Sequence, residues 1–105
     1  MTGSSGGPWV DPPGDSCATL SQVTTLNSPS RNVLRRISKG DELAIQVTDI
    51  GTTVVVQAMY NSEVAGTITS SIIQRLAECV EKGFQYVAEV IENQGGACKV
   101  RVRAK

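Results

Sequence analysis

The chain has 105 residues, of which 40% are hydrophobic and 19% charged, a size and composition suited to one domain around one modest core. Ten basic and ten acidic residues cancel to a net charge of zero, so no overall field draws the protein to nucleic acid or to a membrane surface, and any electrostatic function must come from local segregation of charge. No apolar run approaches the roughly 18 residues of a membrane span, and the N-terminus lacks the basic-then-apolar pattern of a signal peptide, so a soluble, cytoplasmic protein is the expectation.

Residues 1–16, MTGSSGGPWVDPPGDS, are dominated by Gly, Ser and Pro. Such a segment buries too little apolar surface to offset its ordering entropy and reads as a flexible tail ahead of a single domain over 17–105. Trp9, the only Trp in the chain, stands out there between Pro8 and Asp11-Pro12-Pro13. The β-branched run from Ala18 to Leu26 predicts a first strand, and Asn27-Ser28-Pro29-Ser30 breaks it. Ser30 is placed to cap a short helix over 31–38, with Val33, Leu34 and Ile37 on its apolar side, ended by Gly40.

Leu43, Ile45 and Val47 alternate along a second strand, Asp49–Thr52 turns, and Thr53–Met59 forms a third that is apolar on both faces and so central. After a turn at Asn61-Ser62, Glu63–Thr69 makes a fourth strand, in which Gly66 signals a bulge or a close backbone approach. The pattern then predicts a helix over 71–82. Ser71 and Gln74 have capping-box spacing, Ile72, Ile73, Leu76, Ala77 and Val80 form the stripe, and Gly83 is the cap. A hairpin closes the chain, with Phe84, Tyr86, Ala88 and Val90 alternating, Asn93–Gly96 turning, and Cys98, Val100, Val102 and Ala104 alternating back. The order β-α-β-β-β-α-β-β predicts an α+β, β-rich fold, a small antiparallel sheet curled into an open barrel with two helices packed on it.

Three cysteines at irregular spacing do not read as a disulfide framework. Cys79 and Cys98 fall on apolar faces as small core residues, with a bridge between them as the minor alternative, and Cys17 at the junction with the tail is open to exposure. Nothing points to an enzyme. Histidine, the commonest general base and metal ligand, is absent. The cysteines lack zinc-like spacing, and the glycines match neither a P-loop nor a dinucleotide fingerprint. Asp41-Glu42 and the pair Glu78 and Glu81 read as solvated faces. No cofactor and no metal site is expected.

The charge layout is more informative. Eight of the ten basic residues fall in two places, Arg31, Arg35, Arg36 and Lys39 in the first helix and Lys99, Arg101, Arg103 and Lys105 on the last strand. The latter four alternate, so they share one face. One reading is a phosphate-binding, nucleic-acid-facing patch built from Arg31, Arg35, Arg36, Lys99, Arg101 and Arg103. The other is that the terminal strand is guarded against edge-to-edge pairing, or that its charges pair with Glu89 and Glu92 on the neighbouring strand. Trp9 reads either as an anchor for a protein partner's groove or as a cover docked back on its own domain.

The strand VVVQAM, the Glu63–Ile68 strand with Gly66, the helix bearing Leu76, Val80 and Gly83, and the strand YVAEV together resemble the core of the HIRAN family, small barrel domains found with helicases and nucleases that bind DNA ends. The resemblance spans residues 54–90 and implies a barrel with an affinity for nucleic acid. It departs from the family at the loop before the central strand, shortened here to Asp49-Ile50-Gly51-Thr52, so no binding residue carries over. The expectation is therefore a non-catalytic interaction module, an accessory, adaptor or inhibitor-type protein acting through protein contacts and Trp9. A nucleic-acid-binding module is the alternative.

Overall fold

The computed structural model describes residues 17–105; the segment 1–16, with Trp9, lies outside the described residues. The elements are α1, whose described part is residues 17–19, β1 (Ser21–Thr25), α2 (Arg31–Leu34), β2 (Glu42–Ile50), β3 (Thr53–Tyr60), β4 (Glu63–Ile68), α3 (Ile73–Glu81), β5 (Tyr86–Gln94) and β6 (Ala97–Ala104). The strands form one sheet in the order β1-β6-β5-β2-β3-β4, every pair antiparallel. Its two end strands meet again. Asn27, just past β1, bridges Thr67 of β4 through reciprocal N–H···O bonds of 2.8 and 2.9 Å. The sheet is thus a curled half-barrel with its ends pinned together at one point.

Alternation fixes which side is concave. Leu43, Val56, Ala58, Val90, Val100 and Val102 are all essentially inaccessible to solvent and belong to one cluster with Leu76 and Cys79 of α3 and Val33 and Leu34 of α2. Each Val or Leu among them, removed from water, contributes roughly 1.5–3 kcal/mol. α3 packs on β3, and α2 packs on β4. Gly66 performs both tasks its position suggests. A register shift falls between Ala58 and Met59, opposite Ala65, and a Cβ added at Gly66 would lie 2.8 Å from the Leu26 Cβ. Only a bare α-carbon lets the end of β1 settle onto β4.

Several sequence expectations are corrected. The first strand begins at Ser21, and residues 17–19 are helical instead. Cys17 is buried and disulfide-bonded to Cys79, with 5.5 Å between the α-carbons, while Cys98 is the buried free thiol. Cys98 points into the sheet core from β6, whereas Cys79 faces α1, whose Cys17 carbonyl accepts a 2.6 Å hydrogen bond from the buried Tyr86 hydroxyl. The first helix stops at Leu34, short of residue 38, because its final carbonyls find a tertiary partner. Asn93 Nδ2 on β5 donates to Leu34 O at 2.8 Å and Ile37 O at 3.0 Å. Its N-cap is Ser30 as expected, accepting from the Val33 N–H at 3.4 Å.

The capping box does not form. α3 begins at Ile73 with no side-chain cap, since Ser70 Oγ is anchored to Gln22 of β1 at 2.9 Å and meets the Ile72 N–H at 3.4 Å. Its C-terminus closes as predicted, with Gly83 N–H on Val80 O and Phe84 N–H on Cys79 O, the Schellman pattern. Finally, β6 lies between β1 and β5, so its basic residues do not guard an edge.

The disulfide spans 62 residues, and closing a loop of that length in the unfolded chain stabilises the fold by about 4 kcal/mol in the chain-entropy view. Cys17→Ser should therefore lower the unfolding free energy in urea by up to about 4 kcal/mol, and thiol titration of the oxidised protein should find Cys98 silent until denaturant is added. Gly66→Ala should cost about 1–3 kcal/mol through overpacking against Leu26, measured in the same urea titration.

Candidate functional site

The basic residues do not form one patch of equivalent charges. Arg36 donates to Glu63 at 2.8 Å and lies 5.9 Å from the Tyr60 ring centroid. That hydrogen bond is the main cause of a raised Arg36 pKa and a lowered Glu63 pKa. Arg103 is held between two acids, 2.6 Å from Glu42 and 3.4 Å from Glu89, and the hydrogen bond to Glu42, then that to Glu89, raises its pKa. Lys99 sits 3.9 Å from Glu92. Arg31, Arg35 and Arg101 make no ion pair among the described residues.

The arrangement around Arg103 has a structural cause. Glu42 and Glu89 are direct cross-strand partners in the β2–β5 ladder, a like-charge juxtaposition that destabilises a sheet. The guanidinium from the next strand reaches both and turns the repulsion into a bridge. Lys99 likewise faces Glu92 across β6 and β5. Two of the last strand's four cations, Lys99 and Arg103, therefore pair with Glu92 and Glu89 of the neighbouring strand, one of the two outcomes that alternation suggested.

The feature that sequence reasoning missed is a seam. β2 pairs with β5 only at Glu42–Glu89, Leu43–Ala88 and Ala44–Val87. It runs on with β3 to the Ile50–Thr53 pair, because β5 begins at Tyr86 and the chain upstream of it turns away into α3. From Ile45 onward one edge of β2 has no strand partner among the described residues. Between that edge and α3 lie two clefts that share Val80. One, of about 220 Å³, is lined by Ile45, Val80, Phe84, Tyr86 and Lys105. The other, of about 260 Å³, is lined by Val47, Val54, Asp49, Glu78 and Glu81. Together they make a groove with an apolar floor, a cation at one end and three acids at the other. Glu78 and Glu81 are solvent-exposed, as expected; their placement opposite Asp49 is a product of the fold.

Chemistry-bearing groups are few. Burial raises the Cys98 pKa, which keeps the sulfur a thiol and a poor nucleophile, and burial likewise raises that of Tyr86. Among the described residues, no three His, Cys, Asp or Glu side chains gather as a metal site, and no helix is long and apolar enough to cross a membrane. Trp9 lies outside the described residues. No protein-family model, curated protein or solved structure matches the chain.

Arg103→Ala should destabilise the protein at neutral pH by exposing the Glu42–Glu89 repulsion. The difference from wild type in urea unfolding should narrow in about 1 M NaCl, where the Debye length falls to roughly 3 Å.

Proposed function

We propose that this protein is a non-catalytic interaction module, an accessory, adaptor or inhibitor-type protein that takes an extended peptide segment of a protein partner beside β2. One observation carries the reading: β2 loses its second strand partner after Ala44 while continuing to Ile50. A free strand edge is a row of unpaired donors and acceptors, and an added strand satisfies them, with main-chain bonds giving affinity and alternate side chains giving specificity.

The groove sets the chemistry of the partner. A strand continuing the line of β5 runs antiparallel to β2. Its C-terminal end falls beside Tyr86 and Lys105 and its N-terminal end beside Asp49, Glu78 and Glu81. An apolar side chain fits over Val80 and Phe84, and a basic residue suits the acidic end. The nucleic-acid alternative has less support, since Arg36, Lys99 and Arg103 of its six residues are already matched with carboxylates. A disulfide between Cys17 and Cys79 favours an oxidising compartment over the reducing cytosol.

The test is selection of peptides from a random dodecamer library on the oxidised protein, followed by hydrogen exchange with a selected peptide bound. Protection should rise at alternate amides between Ile45 and Ile50. The double variant Glu78→Lys/Glu81→Lys should weaken binding by about tenfold with its thermal unfolding unchanged. Protection confined to the outer face of β6 or to β1 would overturn the proposal.

A further inference from the structure

We propose that the cleft between α2 and the tip of the β5–β6 hairpin binds the phosphate group of a small phosphate ester. The cleft has a volume of about 440 Å³ and is lined by Arg31, Leu34, Arg35, Asn93, Gly95 and Gly96. That is the size of an ordinary small-molecule site, and its lining holds two guanidinium groups and no carboxylate.

Arg31 and Arg35 are four residues apart, so they project from the same side of the helical turn and repel each other. Neither has an acidic partner among the described residues, whereas the next residue, Arg36, reaches away to Glu63 at 2.8 Å. The two charges are thus brought together and left uncompensated, which an anion between them reverses. Guanidinium forks match two phosphate oxygens at once, a geometry lysine does not supply.

The walls are pre-set rather than floppy. Asn93 uses its amide N–H groups on Leu34 O and Ile37 O, at 2.8 and 3.0 Å, which ties the end of α2 to the strand leading into the hairpin. The opposite wall is Gly95-Gly96, with φ of +62° and +83°. Two adjacent left-handed glycines leave bare main chain at the mouth, where an anion can approach the peptide N–H groups without meeting a side chain. Leu34, buried beneath, gives a small apolar floor for the carbon part of an ester. Lys99 and Arg101 are not part of this lining, so the site suits one phosphate group rather than a run of them along a strand.

The experiment is an NMR titration of the full oxidised chain with inorganic phosphate and with phenyl phosphate, ionic strength held constant with chloride. Both probes should shift the Gly95 and Gly96 amides and the Arg31 and Arg35 Nε–H signals together, phenyl phosphate at the lower concentration. Arg31→Ala and Arg35→Ala, both exposed positions, should each weaken binding about tenfold, and Arg101→Ala should change nothing. Shifts spread equally over Lys39, Arg101 and Lys105, shifts that persist in the Arg31→Ala/Arg35→Ala double variant, or no shift at about 10 mM phosphate would overturn the proposal. A single-stranded oligonucleotide that binds more tightly than phenyl phosphate and adds Lys99 and Arg101 to the shifted set would also overturn it, in favour of a nucleic-acid surface.

Discussion

The meeting of the two end strands at Gly66 governs the shape of everything else. Leu26 rests where a Cβ would be, Asn27 and Thr67 exchange hydrogen bonds beside it, and the Ser30 N–H reaches Ala65 O at 2.8 Å. A sheet pinned in this way must curl, and curling creates the concave side that collects the apolar faces of β2 to β6. The same pin places α2 directly after the bridge, against β4 and within reach of Asn93. The cleft between α2 and the hairpin tip follows from a single close backbone approach.

Curling has a counterpart at the other seam. β5 and β2 share only three residue pairs, because α3 must leave the sheet immediately before Tyr86 in order to cover the concave side. The helix that supplies Leu76 and Cys79 to the core therefore also strips β2 of its neighbour. An open edge and a covering helix are two results of one chain path, and the groove between them needs no dedicated residues. What distinguishes its ends is charge, with Lys105 on one side and Asp49, Glu78 and Glu81 on the other.

A core with so few aromatics is assembled from small pieces. Val and Leu lead the buried set, followed by Ala and Cys, and among the described residues Tyr86 is its one aromatic ring. Small domains of this kind often gain stability from a covalent tie. Here the tie joins the segment entering the domain to the covering helix, so Cys17–Cys79 fixes both α1 and α3 over the concave side. The Tyr86 hydroxyl, bonded to the Cys17 carbonyl, satisfies a polar group that this docking buries. On the outer face, ion pairs across β2, β5 and β6 arrange the charges in register without a net field.

Local pattern determined the succession of the six strands and of α2 and α3 along the chain, but not the short α1 or where the helices start and stop. Alternation at Leu43, Ala88, Val90, Cys98, Val100 and Val102 marked the inward faces, since a strand's period of two is independent of its neighbours, whereas the third strand, apolar on both faces, left its inward side to the fold. Gly66 signalled a bulge or a close backbone approach, and the structure has both; Gly83 signalled a helix end. The order of strands, the partner of Cys79 and the start of α3 were decided by the tertiary structure. Each depends on residues far apart in the chain: Gln22 with Ser70, Asn93 with Leu34, Cys17 with Cys79. The candidate sites were decided there too. Nothing in Arg31, Arg35, Gly95 and Gly96 says that they face one cleft, and nothing in Ile45–Ile50 says that its edge is open. Alternation records which way a side chain points, and pairing records what lies beside the backbone, which only the assembled sheet defines.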